Sequence, residues 1–214
     1  MKDLKHLNFY LITYSSLSKK GIISDVENAI KAGCKIVQYR EKKKNTKEMI
    51  SEAKRLEEIC RGKAIFLIND RIDIAIAVNA DGVHLGQEDI PVDIARSIIG
   101  NEKIIGLTVH NVNEAIIAKE QSVDYIGLAP IFNTDTKKDS KAPCGINMIK
   151  EIKNSVDLPI IAVGGINQNN VTDVVINGAD GIAVVSAVLD SDDVYNSVKN
   201  FINKIEEVKI KWPS

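Results

Sequence analysis

The chain has little of what marks a fibrous, secreted, membrane-spanning or nucleic-acid-binding protein. Aromatic residues are 5% of its 214 positions, too few to build stacking platforms for single-stranded nucleic acid. Its 28 basic and 29 acidic side chains leave a formal charge of -1, so no global field draws a polyanion or an anionic surface, and any anion site must be local. The three cysteines, Cys34, Cys60 and Cys144, are odd in number, widely spaced and form no CxxC pair. That excludes a disulfide framework or a zinc knuckle and leaves reduced thiols. Long hydrophobic runs are missing too: the polar segment 1–8 leads into Phe9-Tyr10-Leu11-Ile12, too short for a signal peptide or a membrane span. The expectation is a cytoplasmic protein that binds small molecules, with no nucleic-acid or membrane partner and with homo-oligomerisation left open. No Gly/Pro/Ser-rich linker divides it, so residues 1–214 are expected to form a single domain.

What is present is a composition of 44% hydrophobic and 27% charged residues, enough for one large core, and a strong alternation of short and long patterns. Apolar runs rich in Ile and Val predict strands over 9–13, 36–38, 64–68, 82–85, 103–109, 125–128, 159–163 and 181–185. Between and after them, helical spacing covers 24–32, 46–60, 72–78, 92–98, 113–119, 146–153, 169–176 and 193–205. Ser24 and Thr46 read as N-caps, Pro91 suits a first helical turn, and Asn177-Gly178 suits a helix end. Strands alternating with helices imply parallel pairing through right-handed crossovers, and burial on both faces explains the near-continuous apolar runs. Eight such units in a chain of this length predict an α/β fold, a closed (β/α)8 TIM barrel; an open doubly wound sheet is the competitor.

Barrel ligands gather at the C-terminal ends of the strands, and polar residues stand at seven of the eight expected ends. The most telling stretch is Lys35-Ile36-Val37-Gln38-Tyr39-Arg40-Glu41-Lys42. Period 2 puts Ile36, Gln38, Arg40 and Lys42 on one face, which ends cationic and suits a phosphate or diphosphate. Asn69-Asp70 and Asp89 follow the next two strands; two carboxylates from neighbouring strand ends suit one Mg2+, with Glu88 as an alternative to Asp89. Taken singly, each reads more readily as an N-cap than as a metal ligand. His84 lies within a strand and reads as a hydrogen-bonded core residue rather than an acid or base, while Thr108 and His110 share a face near another strand end. The loop after 125–128 carries Thr134, Thr136 and Lys137, apt for a phosphate ester, or is simply an exposed loop. Gly164-Gly165 and Val185-Ser186 end the last two strands, where many barrels hold a phosphate.

Six stretches in order, Val37-Gln38-Tyr39-Arg40-Glu41-Lys42, Leu67-Ile68-Asn69-Asp70-Arg71, Ala80-Asp81-Gly82-Val83-His84-Leu85-Gly86-Gln87-Glu88-Asp89, Asp124-Tyr125-Ile126-Gly127, Thr134-Asp135-Thr136-Lys137 and Ile161-Ala162-Val163-Gly164-Gly165-Ile166, resemble the thiamine-phosphate synthase family over nearly the whole chain. The resemblance implies a transferase joining hydroxymethylpyrimidine diphosphate to thiazole phosphate with Mg2+. It implies that Arg40, Lys42, Lys137 and Thr108 carry the chemistry. Gln38, Tyr39, Glu41, Asn69, Thr134, Asp135, Thr136, Gly165, Val185 and Ser186 would join them in binding substrate, and Asp70 and Asp89 would hold the metal. Thr108 stands where the family commonly has serine, Ala129 where it has glycine, and Asn133 where it has proline. Two rival readings are a thiazole tautomerase of the same fold, using His110 for proton transfer, and a non-catalytic phosphate-ligand binder.

Overall fold

The computed structural model describes Leu4 and residues 8–136 and 141–212. Eight parallel strands close a barrel in sequence order: β1 (Phe9–Ile12), β2 (Ile36–Tyr39), β3 (Ile65–Asn69), β4 (Gly82–Leu85), β5 (Ile104–Val109), β6 (Tyr125–Leu128), β7 (Ile160–Val163) and β8 (Gly181–Val184). Closure is made by β8 against β1, with Phe9 opposite Ile182 and Leu11 opposite Val184. The crossover helices are α1 (Ile22–Lys31), α2 (Thr46–Cys60), α3 (Ile72–Ala77), α4 (Val92–Ile99), α5 (Val112–Glu120), α6 (Asn147–Lys153) and α7 (Val171–Ile176). A short α8 (Ser186–Leu189) and the terminal α9 (Val194–Lys211) complete the wall. The (β/α)8 expectation holds, and the open sheet is excluded.

Strand parity divides the apolar residues into two cores. Leu11, Val37, Phe66, Ile68, Val83, Ile105, Ile126, Ala162 and Ile182 face outward and pack under the helices. Tyr10, Ile12, Ile36, Leu67, Ile104, Tyr125, Ile161 and Ala183 face inward, with Leu4 packed among them. Because both sets are buried, each strand reads as a continuous apolar run.

A recurring aspartate fixes the start of alternate strands. Asp81, Asp124 and Asp180 immediately precede β4, β6 and β8, and each accepts a backbone N–H from the preceding strand: Phe66 N, Ile105 N and Ile160 N, all at 2.8 Å. Asp124 also pairs with Arg96 at 2.8 Å and Asp180 with Lys153 at 2.7 Å. These carboxylates answer strand-end donors that the ladder leaves unpaired.

Several boundaries differ from expectation for local reasons. The N-cap of α2 is Asn45, one residue before Thr46: its side chain accepts from Glu48 N at 3.0 Å while Glu48 accepts from Asn45 N at 3.1 Å, a reciprocal capping box. The Thr46 hydroxyl instead accepts from Arg71 at 2.9 Å. Ser24 caps nothing, because Gly21, at φ 86°, turns the chain into α1 before buried Ile22. Pro91 sits at the N-cap of α4, and Asn177 and Gly178 end α7 as expected. The terminal helix runs past 205 to Lys211, held by buried Val208 and by Lys209, which donates to Asn8 Oδ1 at 2.7 Å and Asp180 O at 2.8 Å. α8 was not expected at all: 181–185 reads as a strand to its end, with nothing to signal a four-residue helix.

Candidate active site

A cavity of about 480 Å³ opens at the C-terminal ends of the strands. Its floor is the inward layer of Tyr10, Gln38, His84, Thr108 and Tyr125; its rim carries Arg40, Lys42, Asn69, Asp70, Asp89, His110, Thr134, Thr136, Lys141, Gly165, Val185 and Ser186.

The cationic wall grows out of β2. Buried Thr13 clamps the Arg40 backbone, its hydroxyl accepting from Arg40 N at 3.0 Å and donating to Arg40 O at 3.4 Å. The guanidinium lies 5.4 Å from the centre of the Tyr14 ring, a cation–π contact that holds it over the rim. Lys42 forms an ion pair with Asp70. Their neighbours point elsewhere, which corrects the expectation that the whole motif touches substrate. Tyr39 is on the outward face of β2 and donates to Glu52 Oε2 at 2.8 Å. Glu41 turns inward to accept from Ser15 Oγ, Lys42 N and Lys43 N, and does not line the cavity. Burial pushes its carboxyl up, but the Ser15 hydroxyl and the Lys43 and Lys42 N–H groups outweigh it and hold the group below its usual range.

The acidic wall joins β3 to β4. Asp70 adopts φ 59°, a left-handed conformation that aspartate tolerates better than most residues, and its N–H donates to His84 O at 2.9 Å. Asn69 Nδ2 donates to Asp70 Oδ1 at 2.6 Å, and Gly86 N to Asp89 Oδ2 at 2.6 Å. Asp89 meets Asp70 directly. Burial raises the Asp89 carboxyl above its usual value; the Gly86 N–H opposes this, and the Asp70 hydrogen bond and charge add to it. Two carboxylates pressed together beside Lys42 form a site whose mutual repulsion a divalent cation would relieve, so the donor set fits Mg2+. Among the described residues no cluster of three or more His, Cys, Asp or Glu forms an all-protein metal cage. A pair with room for other oxygen ligands is the arrangement suited to an ion shared with a phosphate.

The opposite wall comes from β6, β7 and β8. Gly164 and Gly165 adopt φ 97° and 64°, and a Cβ on them would lie 2.6 Å from Pro130 Cβ and 2.5 Å from Asn133 O. They let the loop after β6 close against β7, where Ile131 N donates to Val163 O at 2.9 Å and Phe132 N to Gly164 O at 3.1 Å. That contact brings Thr136 Oγ1 to 3.4 Å from Ser186 Oγ at the start of α8. Asp135 is exposed and outside the cavity, a second correction to the expected binding set. Lys137 lies outside the described residues. His110 lines the rim with Nδ1 bonded to Ala129 O, and His84 is the hydrogen-bonded core residue its position suggests.

The sequence reading missed Tyr10 and Tyr125, which are 2% and 1% exposed and meet hydroxyl to hydroxyl at 3.0 Å on the floor. Their signal was available, since both stand at inward parity in a chain with few aromatics. It also missed Lys141, which lines the rim and lies 3.8 Å from Glu114.

A (β/α)8 barrel with a polar, two-walled cavity at the carboxyl ends of its strands defines a barrel enzyme handling anionic ligands. Comparison with known proteins narrows this. The family model described as thiamine monophosphate synthase matches residues 9–188, and the chain belongs to that family. It is 54% identical over 206 residues to the thiamine-phosphate synthase of Methanosarcina mazei, covering 96% of this chain and 86% of that one. To the Methanosarcina barkeri thiamine-phosphate synthase it is 52% identical, covering 96% and 94%. The solved thiamine phosphate pyrophosphorylase from Pyrococcus furiosus superposes with a TM-score of 0.89 at 37% identity, over 96% of this chain and 99% of that one.

Proposed function

We propose that this protein joins hydroxymethylpyrimidine diphosphate to thiazole phosphate, giving thiamine phosphate and diphosphate. The observation that carries the reading is one cavity with two unlike walls: a cationic and acidic wall of Arg40, Lys42, Asp70 and Asp89, facing a glycine- and hydroxyl-rich wall of Gly165, Thr134, Thr136 and Ser186. The first suits a metal-bound diphosphate and the second a phosphate monoester, so two anionic substrates fit with their reactive ends toward each other.

The bond that breaks joins the pyrimidine methylene carbon to the diphosphate oxygen, which leaves with the electron pair. The bond that forms uses the lone pair of the thiazole nitrogen, leaving a thiazolium. Along a dissociative route the ring-stabilised carbocation precedes attack, so no protein nucleophile is needed. Arg40 and Lys42 stabilise the charge that grows on the leaving oxygens, and Lys137 belongs to the same proposal from sequence. Asp70 and Asp89 would hold Mg2+, which when bound supplies further charge neutralisation at the diphosphate. Gln38, Asn69 and Thr108 orient the heterocycle, while the Gly165, Val185 and Ser186 end, with Thr134 and Thr136, holds the second phosphate so that the nitrogen lies in line. Moving a proton on a thiazole would need neither diphosphate clamp nor metal pair, which argues against the tautomerase. No described helix is long and apolar enough to cross a membrane; a cytoplasmic location belongs to the same proposal from sequence.

The test is diphosphate release from both substrates with Mg2+. Arg40→Ala is expected to slow turnover about 10²-fold, the scale for losing one preorganised donor, and Asp70→Asn comparably. Saturable binding without release would favour the phosphate-ligand binder, and unchanged rates in both variants would remove those residues from the mechanism.

A further inference from the structure

A continuous line of hydrogen bonds crosses the cavity floor beneath the substrate walls. Gln38 Nε2 donates to Tyr10 Oη at 2.6 Å; Tyr10 and Tyr125 hydroxyls meet at 3.0 Å; Tyr125 Oη lies 2.8 Å from His84 Nδ1; and His84 Nε2 lies 2.9 Å from Thr108 Oγ1. Space for it is built into the neighbouring strands. A Cβ on Gly106 would fall 2.1 Å from Tyr125 Cζ, and one on Gly127 would fall 2.9 Å from His84 Cε1. Two inward positions are thus left without side chains, and the Tyr125 and His84 rings occupy the space.

The line has a direction. Burial pushes both phenols above their usual range, so each keeps one proton to donate. Because Gln38 donates to Tyr10, the Tyr10 proton turns to Tyr125, and the Tyr125 proton to His84 Nδ1. That ring nitrogen is then the acceptor, its proton sits on Nε2, and Nε2 donates to Thr108. At the ends, the Thr108 proton is displaced toward the cavity, and Gln38, tethered through its nitrogen, presents Oε1. A glutamine can turn its amide over and offer either group; here the nitrogen faces Tyr10, and the opposite orientation, with Oε1 accepting from the Tyr10 hydroxyl, would reverse the whole line and put the His84 proton on Nδ1.

We propose that Tyr10, Tyr125 and His84 are positioning residues that fix the hydrogen-bonding polarity of the floor, with Gln38 accepting and Thr108 donating, so that the site selects an amino-substituted heterocycle over its oxo counterpart. This rests on the reading that the cavity takes an aminopyrimidine diphosphate. An amino group faces Gln38 Oε1 as a donor and a ring nitrogen faces the Thr108 hydroxyl as an acceptor. Replacing amino by oxo sets two acceptors against each other and leaves a buried polar atom unpaired.

The experiment has two arms. In the first, kcat/KM is measured for the aminopyrimidine diphosphate and for its 4-oxo analogue, with thiazole phosphate, in wild type, Tyr10→Phe and Tyr125→Phe. A site built to hydrogen-bond its substrate discriminates by about 10⁴. Both variants are expected to narrow that ratio at least 10-fold while retaining the ring packing. The ratio is taken on one preparation, so a reduced folded fraction cancels. A ratio unchanged in both variants overturns the inference. In the second arm, ¹⁵N NMR of the imidazole, assigned with a His84→Gln variant, is expected to show His84 protonated on Nε2 in wild type and a tautomer mixture in Tyr125→Phe. Protonation on Nδ1 in wild type overturns it independently of turnover. If wild type releases no diphosphate, the reading of the reaction falls, while the NMR arm still decides the polarity of the floor.

Discussion

Gly106→Ala puts the barrel floor to a quantitative test. The new Cβ would stand 2.1 Å from Tyr125 Cζ, 2.3 Å from Cε1 and 2.4 Å from Oη. An ordinary carbon contact is about 3.5–4.0 Å, so the ring must move by about 1.5 Å in a layer whose members are almost wholly buried. Overpacking of that kind costs about 1–3 kcal/mol. Displacing the ring also breaks the Tyr10 and His84 hydrogen bonds, about 0.5–1.5 kcal/mol each. The total is about 2–6 kcal/mol, and at about 2–4 °C per kcal/mol for a chain of this size the melting temperature should fall by about 4–24 °C. Gly82→Ala should be worse, since its Cβ would meet Ile104 O at 2.0 Å, a backbone atom that cannot be trimmed. Gly127→Ala, with His84 Cε1 at 2.9 Å, should be mildest. Adding Tyr125→Leu to Gly106→Ala should recover part of the loss, and no single side-chain replacement should rescue Gly82→Ala. Thermal melts by circular dichroism decide it. A Gly106→Ala protein that melts with wild type, or a reversed order of Gly106 and Gly127, would refute the packing described for this floor.

Asp180→Ala should destabilise by about 1–3 kcal/mol in a denaturant titration, because it strips the acceptor from buried Ile160 N and leaves Lys153 unpaired. Cys34 and Cys60 should resist a thiol reagent at pH 8 until the protein unfolds, since both are buried with thiols pushed up to about 12, chiefly by burial. Asp25 supplies a pH signature. Burial raises its carboxyl, with the Ser18 hydroxyl and Lys20 opposing, so the folded state holds the proton more tightly than the unfolded chain does. Its contribution is therefore complete below the unfolded value of about 3.9 and declines as pH rises through the folded value. The stability of Asp25→Asn relative to wild type should accordingly grow as pH rises above about 4, and a difference that shrinks would count against the sign.

The periodic features of this protein are local, and the sequence determined them. Inward and outward parity along Ile36–Tyr39, the helical spacing of Thr46–Cys60 and the alternation of the two follow from side-chain geometry within a few residues. Eight repeats of that alternation specify the barrel, and parity along β2 puts Gln38, Arg40 and Lys42 on one side. The family resemblance, not parity, misled at two positions between rim residues. Glu41 and Asp135 sit among rim residues in sequence, but one is drawn down by Ser15 and the backbone of its own turn, and the other faces solvent. Cap positions slipped by one residue at Asn45, whose side chain closes a capping box with Glu48, and by three at Gly21, whose positive φ turns the chain into the helix without a side-chain cap.

Only the closed tertiary structure could decide which distant groups meet. Asp70 touching Asp89, Thr136 reaching Ser186 and Tyr10 bonded to Tyr125 across 115 residues all depend on the register of the strands and on the closing of β8 on β1. Such contacts carry no local pattern: each is set by the summed stagger of every strand pair around the barrel, and that sum exists only once the ring is complete.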